Sequence, residues 1–110
     1  MGAVKAEDLR DLPGWELVGK GLDDHAANIS SPEACLVRMA SPRLVLAGLM
    51  AAPPPPVEAE VELYQLLAKE HPGRDVFPLY NSLCRRLVRF ERALDHFLRR
   101  ARQPHPKIPA

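Results

Sequence analysis

The sequence lacks the short signatures that mark a catalytic or cofactor-binding chain. It contains no GxGxxG, GxxxxGK[ST] or GxSxG, and no HExxH, HxxxH or CxxC spacing from which a metal site could be built. Its four histidines, His25, His71, His96 and His105, stand far apart in the chain. His25 follows Asp23-Asp24 and His96 follows Asp95, but adjacent helical residues point in different directions, so Asp95 does not orient His96 as a general base requires. The expectation is a non-enzymatic chain with no cofactor, no metal and no small-molecule substrate.

Cysteine is nearly absent too. Cys35 and Cys84 lie in separate apolar stretches, and the expectation is two buried free thiols in a reduced compartment, with a disulfide between them as the alternative. Long apolar runs are missing: the longest uncharged one, Leu44 to Ala52, falls far short of the ~20 residues that cross a bilayer. The opening MGAVKAEDLRDL has no apolar core of a signal peptide, and Ala6 stands where a myristoylation signal has Ser or Thr. A soluble, cytoplasmic protein without membrane contact is expected.

What is present is a long periodic stretch. Val76, Tyr80, Leu83, Leu87, Phe90, Leu94, Phe97 and Ala101 recur at steps of four and three, which places them on one stripe of a helix over Val76 to Arg102. Leu79, Cys84, Val88 and Leu98 are read as broadening this seam to one side. Two positions further along, Arg85, Arg89, Arg92, His96 and Arg99 repeat at the same steps and form the opposite, basic face. A helix of this length spans ~40 Å, more than a compact chain of this size readily covers, so its last turns are expected to protrude or to meet another chain.

The rest reads as shorter helices. Residues 1–10 are a flexible lead-in, and 11–50 hold three short helices. The first starts near Asp11 or Leu12 with Pro13 in its first turn, turns Trp15, Val18, Leu22 and Ala26 inward and ends around Asn28. Gly19 and Gly21 within it point either to a marginal segment or to close packing against a bulky neighbour such as the long C-terminal helix, and close packing is the expectation. Ser31-Pro32-Glu33 starts the second, which buries Cys35, Leu36, Met39 and Ala40. Ser41-Pro42 starts a third, carrying Leu44, Val45, Leu46 and Leu49 as the expected centre of the core. Residues 51–56, AAPPPP, form a stiff polyproline linker rather than a ligand for an aromatic groove. Residues 57–102 form an antiparallel hairpin, its first helix burying Val57, Val61, Tyr64 and Leu67 or Ala68, with Asp75 capping the second after His71-Pro72-Gly73-Arg74. Residues 103–110 are a disordered tail. The fold class is therefore all-α, a small bundle of about five helices in which three short ones pack on a C-terminal hairpin.

Two surfaces of the last helix are functional candidates. Met1 to Gly73 has 6 Lys/Arg against 11 Asp/Glu, while Arg74 to Ala110 has 9 against 3, so the halves carry −5 and +6. Packing of the acidic helices beside the basic one, with the start of the first hairpin helix next to Leu87–Leu98, cancels these fields internally. If it does not, Arg85, Arg89, Arg92 and Arg99 are candidate phosphate contacts for nucleic acid, without the interleaved aromatics that stack single strands. The seam is the second candidate, with Leu87, Phe90, Leu94, Phe97 and Leu98 as contacts for a partner protein or a second copy in a homodimer. The leading expectation is an interaction module that uses the seam; the alternative is a nucleic-acid-binding accessory protein that uses the arginines.

Overall fold

A computed structural model of the chain describes residues 6–51 and 58–102. The described residues are all-helical: a 3-10 turn at Ala6–Leu9, then α1 Trp15–Ala26, α2 Pro32–Met39, α3 Ser41–Leu46, α4 Ala59–Glu70 and α5 Phe77–Arg102. Most of the polyproline linker and the C-terminal tail lie outside the described residues.

The first helix begins later than expected. Gly14 takes a left-handed conformation, φ 84°, which an α-helix cannot include, so α1 starts at Trp15 and Pro13 stays outside it. A side chain at Gly14 would also meet α5, since a Cβ there falls 3.0 Å from the Arg86 carbonyl oxygen and 3.1 Å from Phe90 Cβ. Before this turn, Leu9 is 0% exposed. Residues 6–9 thus bring a full-sized apolar side chain to the core, where a flexible lead-in was expected. At its other end α1 closes with Asn28 at φ 59°, the Ile29 N–H donating to Asp24 O at 2.8 Å and the Asn28 N–H to His25 O at 3.1 Å. These paired bonds satisfy the last carbonyls of the helix. Val18 is buried as expected, but Leu17 is buried beside it and Ala26 is exposed.

The centre of the core is α2, not α3. Ser31 caps α2, its hydroxyl accepting the Ala34 N–H at 3.1 Å, and Ala34, Cys35, Leu36 and Val37 are all fully buried. This helix lies against α1, α3, α4 and α5, so little of its circumference meets water. Gly21 brings it closest to α1: a Cβ at Gly21 would stand 2.3 Å from the Glu33 carbonyl oxygen and 2.7 Å from Val37 Cγ1. The glycine does serve close packing, but the neighbour is α2 rather than the long helix. Gly19 is covered by the Trp15 ring one turn earlier, 3.0 Å from where its Cβ would be.

In α3, Ala40 rather than Ser41 is the N-cap, and Leu44 alone turns fully inward while Leu46 is 77% exposed. Six residues make fewer than two turns, which can present only one face to α2. Gly48, φ 79°, ends it with the Leu49 N–H donating to Leu44 O at 2.9 Å.

The hairpin forms, with Asp75 Oδ1 accepting the Phe77 N–H at 3.0 Å ahead of α5. The stripe that α4 buries is Ala59, Leu63 and Leu67. Val61 and Tyr64, expected inside, are 48% and 39% exposed, and Val57 lies outside the described residues. Burying the leucine stripe sets α4 against α2. It also places Glu62 beside Arg38, whose Nη1 donates to Glu62 Oε1 at 2.8 Å. α5 starts at Phe77, one residue later than expected, and the seam packs inward, with Val76 just ahead of the helix and Leu83, Leu87, Phe90 and Leu94 within it buried, and Tyr80 and Phe97 half-buried.

Gly21 and Gly73 predict unequal costs on substitution. Gly21→Ala forces helix backbones apart and is expected to destabilise the fold by about 3 kcal/mol. Gly73→Ala has φ 79° but nothing within 4 Å of the new Cβ, so only the left-handed strain counts, about 1 kcal/mol. Urea unfolding midpoints measure both, and equal losses would contradict the close α1–α2 contact.

Candidate interaction face on the C-terminal helices

The seam of α5 faces the chain's own core. Of the five side chains read as protein contacts, Leu87, Phe90 and Leu94 are buried within it and Phe97 and Leu98 are half-buried against it. Phe90 is covered by Trp15, whose ring lies 6.2 Å away and tilted by 37°. A partner could reach these three only by displacing α1 or α2. Near the helix end, Leu98 borders a small hollow of about 190 Å3 with Arg43, Leu46, Asp95 and Arg99.

Apolar side chains are exposed instead along a neighbouring strip. Leu79 and Val88, both read as widening one side of the seam, are nine residues apart, which at ~100° per residue puts them on opposite edges. Val88 is 43% exposed and Phe77 54% exposed, and both share the edge that carries Cys84 and Asn81. From α4, Val61 and Tyr64 approach the same edge. Tyr64 meets Tyr80 edge-on with centroids 5.8 Å apart, and Phe77 stacks on Tyr80 at 6.5 Å. Two open hollows lie along this line. One of about 390 Å3 is lined by Glu60, Val61, Tyr64, Gln65 and Tyr80; the next, about 440 Å3, by Asn81, Cys84, Arg85, Val88, Arg89 and Arg92. Sequence periodicity missed the α4 half of this face, because Val61 and Tyr64 continue a helical stripe as well as Leu63 and Leu67 do.

The arginines are placed as expected, with Arg85, Arg89, Arg92 and Arg99 exposed on the outer side of α5. Arg85 and Arg99 are 14 residues apart, about 21 Å along the axis. Internal cancellation of their charge is slight. Among the described residues none of these four forms an ion pair; on α5 the pairs are Arg86 with Glu16 at 2.6 Å, and Glu91 and Asp95 with Arg43 of α3. The acidic start of α4 does not reach Leu87–Leu98 either. Glu60 instead acts on Tyr80 and Cys84, within the first turns of α5.

Burial, opposed by the Arg43 guanidinium, pushes the Glu91 carboxyl above the usual range. Burial likewise raises the Tyr80 hydroxyl and the Cys84 thiol, which lie side by side. Cys35 is pushed up to about 12, first by burial and then by the Glu62 carboxylate, to which its thiol donates at 3.1 Å. Neither cysteine is bonded to the other. Among the described residues no three His, Cys, Asp or Glu side chains gather as metal ligands would, and no helix is long and apolar enough to cross a membrane. No protein-family model matches the sequence, and neither a curated protein nor a solved structure matches it.

The two thiols are expected to differ in reactivity. An alkylating reagent should label Cys84, at the edge of the larger hollow, well before Cys35, which should react only as the chain unfolds. Mass spectrometry of timed digests reads this directly, and equal labelling rates would contradict the burial of Cys35.

Proposed function

We propose that this chain is a non-enzymatic helical interaction module that docks a partner protein through α5 and the adjoining flank of α4. The observation that carries the reading is the exposed apolar strip of Val61, Tyr64, Phe77 and Val88, lying beside arginines that no described carboxylate pairs. Clustered exposed apolar side chains next to fixed charge are what a specific protein contact uses: the apolar area supplies affinity, and the charges supply orientation. The docking surface differs from the one the seam suggested, since Leu87, Phe90 and Leu94 hold the chain together.

A second reading has an observation of its own. Arg85, Arg89, Arg92 and Arg99 project from one side of α5 without carboxylate partners among the described residues, an arrangement that suits successive phosphates of a nucleic acid.

Paired baits separate the two. The wild-type chain and a Val61→Asp, Val88→Asp variant of unchanged helicity are immobilised, exposed to lysate with and without nuclease, and washed at rising salt. The docking reading expects a stoichiometric protein that resists nuclease and is lost from the variant. Retention of the same proteins by both baits would sink it. Nuclease-sensitive material that disappears from an Arg89→Glu, Arg92→Glu bait would install the nucleic-acid reading in its place.

A further inference from the structure

The strip has dimensions and charges that describe what fits it. It runs from Phe77 to Arg92 along α5, about 22 Å at the helical rise, the length of four helical turns or about 15 residues. Its floor is Cys84 and Val88. One wall is α4, with Val61 and Tyr64; the other is the row Arg85, Arg89 and Arg92. Beyond it, Arg43 of α3 is engaged by Glu91 and Asp95, so the strip is closed at that end.

We infer that this strip seats one amphipathic helix of another protein, apolar along the stripe that meets Val61, Cys84 and Val88 and acidic along the edge that meets Arg85, Arg89 and Arg92. The inference rests on the docking function proposed above and names the chemistry of the docked chain. A helix lying beside α5 and α4 buries an apolar stripe against both, the helix-in-groove mode of recognition. The walls then fix its charge. Carboxylates on the arginine side form charge-assisted pairs with donors that have no described partner. On the α4 side Glu60 repels them, so the acidic edge has one place to go and the helix one way to lie.

Charge also disfavours the other occupants. The chain's remaining segments, residues 1–5, 52–57 and 103–110, contain no Asp or Glu, so none supplies the acidic edge. A second copy packed with its α5 antiparallel, about a two-fold axis crossing the helix, would set its own Arg85, Arg89 and Arg92 against the same row. A nucleic acid would satisfy the arginines but leave the apolar floor and the valine of α4 uncovered.

Synthetic peptides test the assignment. Three fluorescent helical peptides of about 15 residues are titrated with the full chain and followed by anisotropy: one with a leucine stripe and a glutamate edge, one with the edge changed to lysine, and one with the stripe changed to serine. A single-stranded oligonucleotide and sedimentation of the chain alone complete the set. The glutamate peptide is expected to bind, each altered peptide to bind about tenfold more weakly or less, and Arg85→Glu with Arg89→Glu to cost about tenfold. That arginine variant should recover affinity for the lysine peptide. Equal binding of glutamate and lysine peptides overturns the inference, as does self-association that excludes the peptide, or an oligonucleotide that binds where no peptide does. If no peptide binds while the captured protein is still lost from the Val61→Asp, Val88→Asp bait, the acidic helix is wrong and the docking function stands. If both baits retain the same proteins, the function falls and the inference with it.

Discussion

The contact between Gly21 and the backbone of α2 sets the geometry of everything around it. With no Cβ in the way, α1 lies directly on the carbonyl of Glu33 and the methyl of Val37, and α2 can then be enclosed by the remaining helices. Gly14 repeats the device at the N-cap of α1, where a glycine in the left-handed region admits the backbone of α5 at Arg86. Ion pairs come second to this packing. Lys20 with Asp24 and Arg86 with Glu16 lie at the surface, where such pairs contribute little. Arg38 and Glu62 are more sheltered and receive the Cys35 thiol as a third member, tying α2 to α4 inside the partly buried layer.

The candidate face follows from a mismatch in length. α5 has 26 residues and α4 has 12, so the hairpin arm shields only the beginning of the long helix, and α1 and α3 take over further along. Between those covers one edge of α5 stays open, with apolar side chains where the hairpin ends and arginines beyond them. The charge imbalance between the two halves of the sequence is therefore not resolved by contact. It survives as a basic row next to an apolar floor.

The long helix was legible because its period continues for many turns, and one reading alone satisfies so many positions; hence the burial of Leu83, Leu87, Phe90 and Leu94. The cap at Ser31 and the Asp75 oxygen that receives the first N–H of α5 were legible for a local reason, since a side-chain oxygen ahead of a helix has few other uses. Short elements were not. In α3 three consecutive apolar residues, Leu44 to Leu46, carry no direction, and Leu46 faces water. In α4 two stripes compete, and only the position of α2 decides between Leu63 and Tyr64. Leu9 sits in a charged context with no periodicity, so nothing local announced its burial. The arginine half of the face could be read from spacing, whereas its apolar half depended on which α4 stripe turned inward.

Trp15 is the only indole in the chain, and its ring is half-buried between Gly19 and Phe90. It stands at the joint between α1 and α5, far in sequence from the α4 flank. Its emission is thus an internal gauge of that joint: a red shift marks the parting of α1 from α5, and a molecule settling beside Val61 and Val88 should leave the colour unchanged. The protein carries, in one side chain, the optical means to distinguish opening of its core from occupation of its surface.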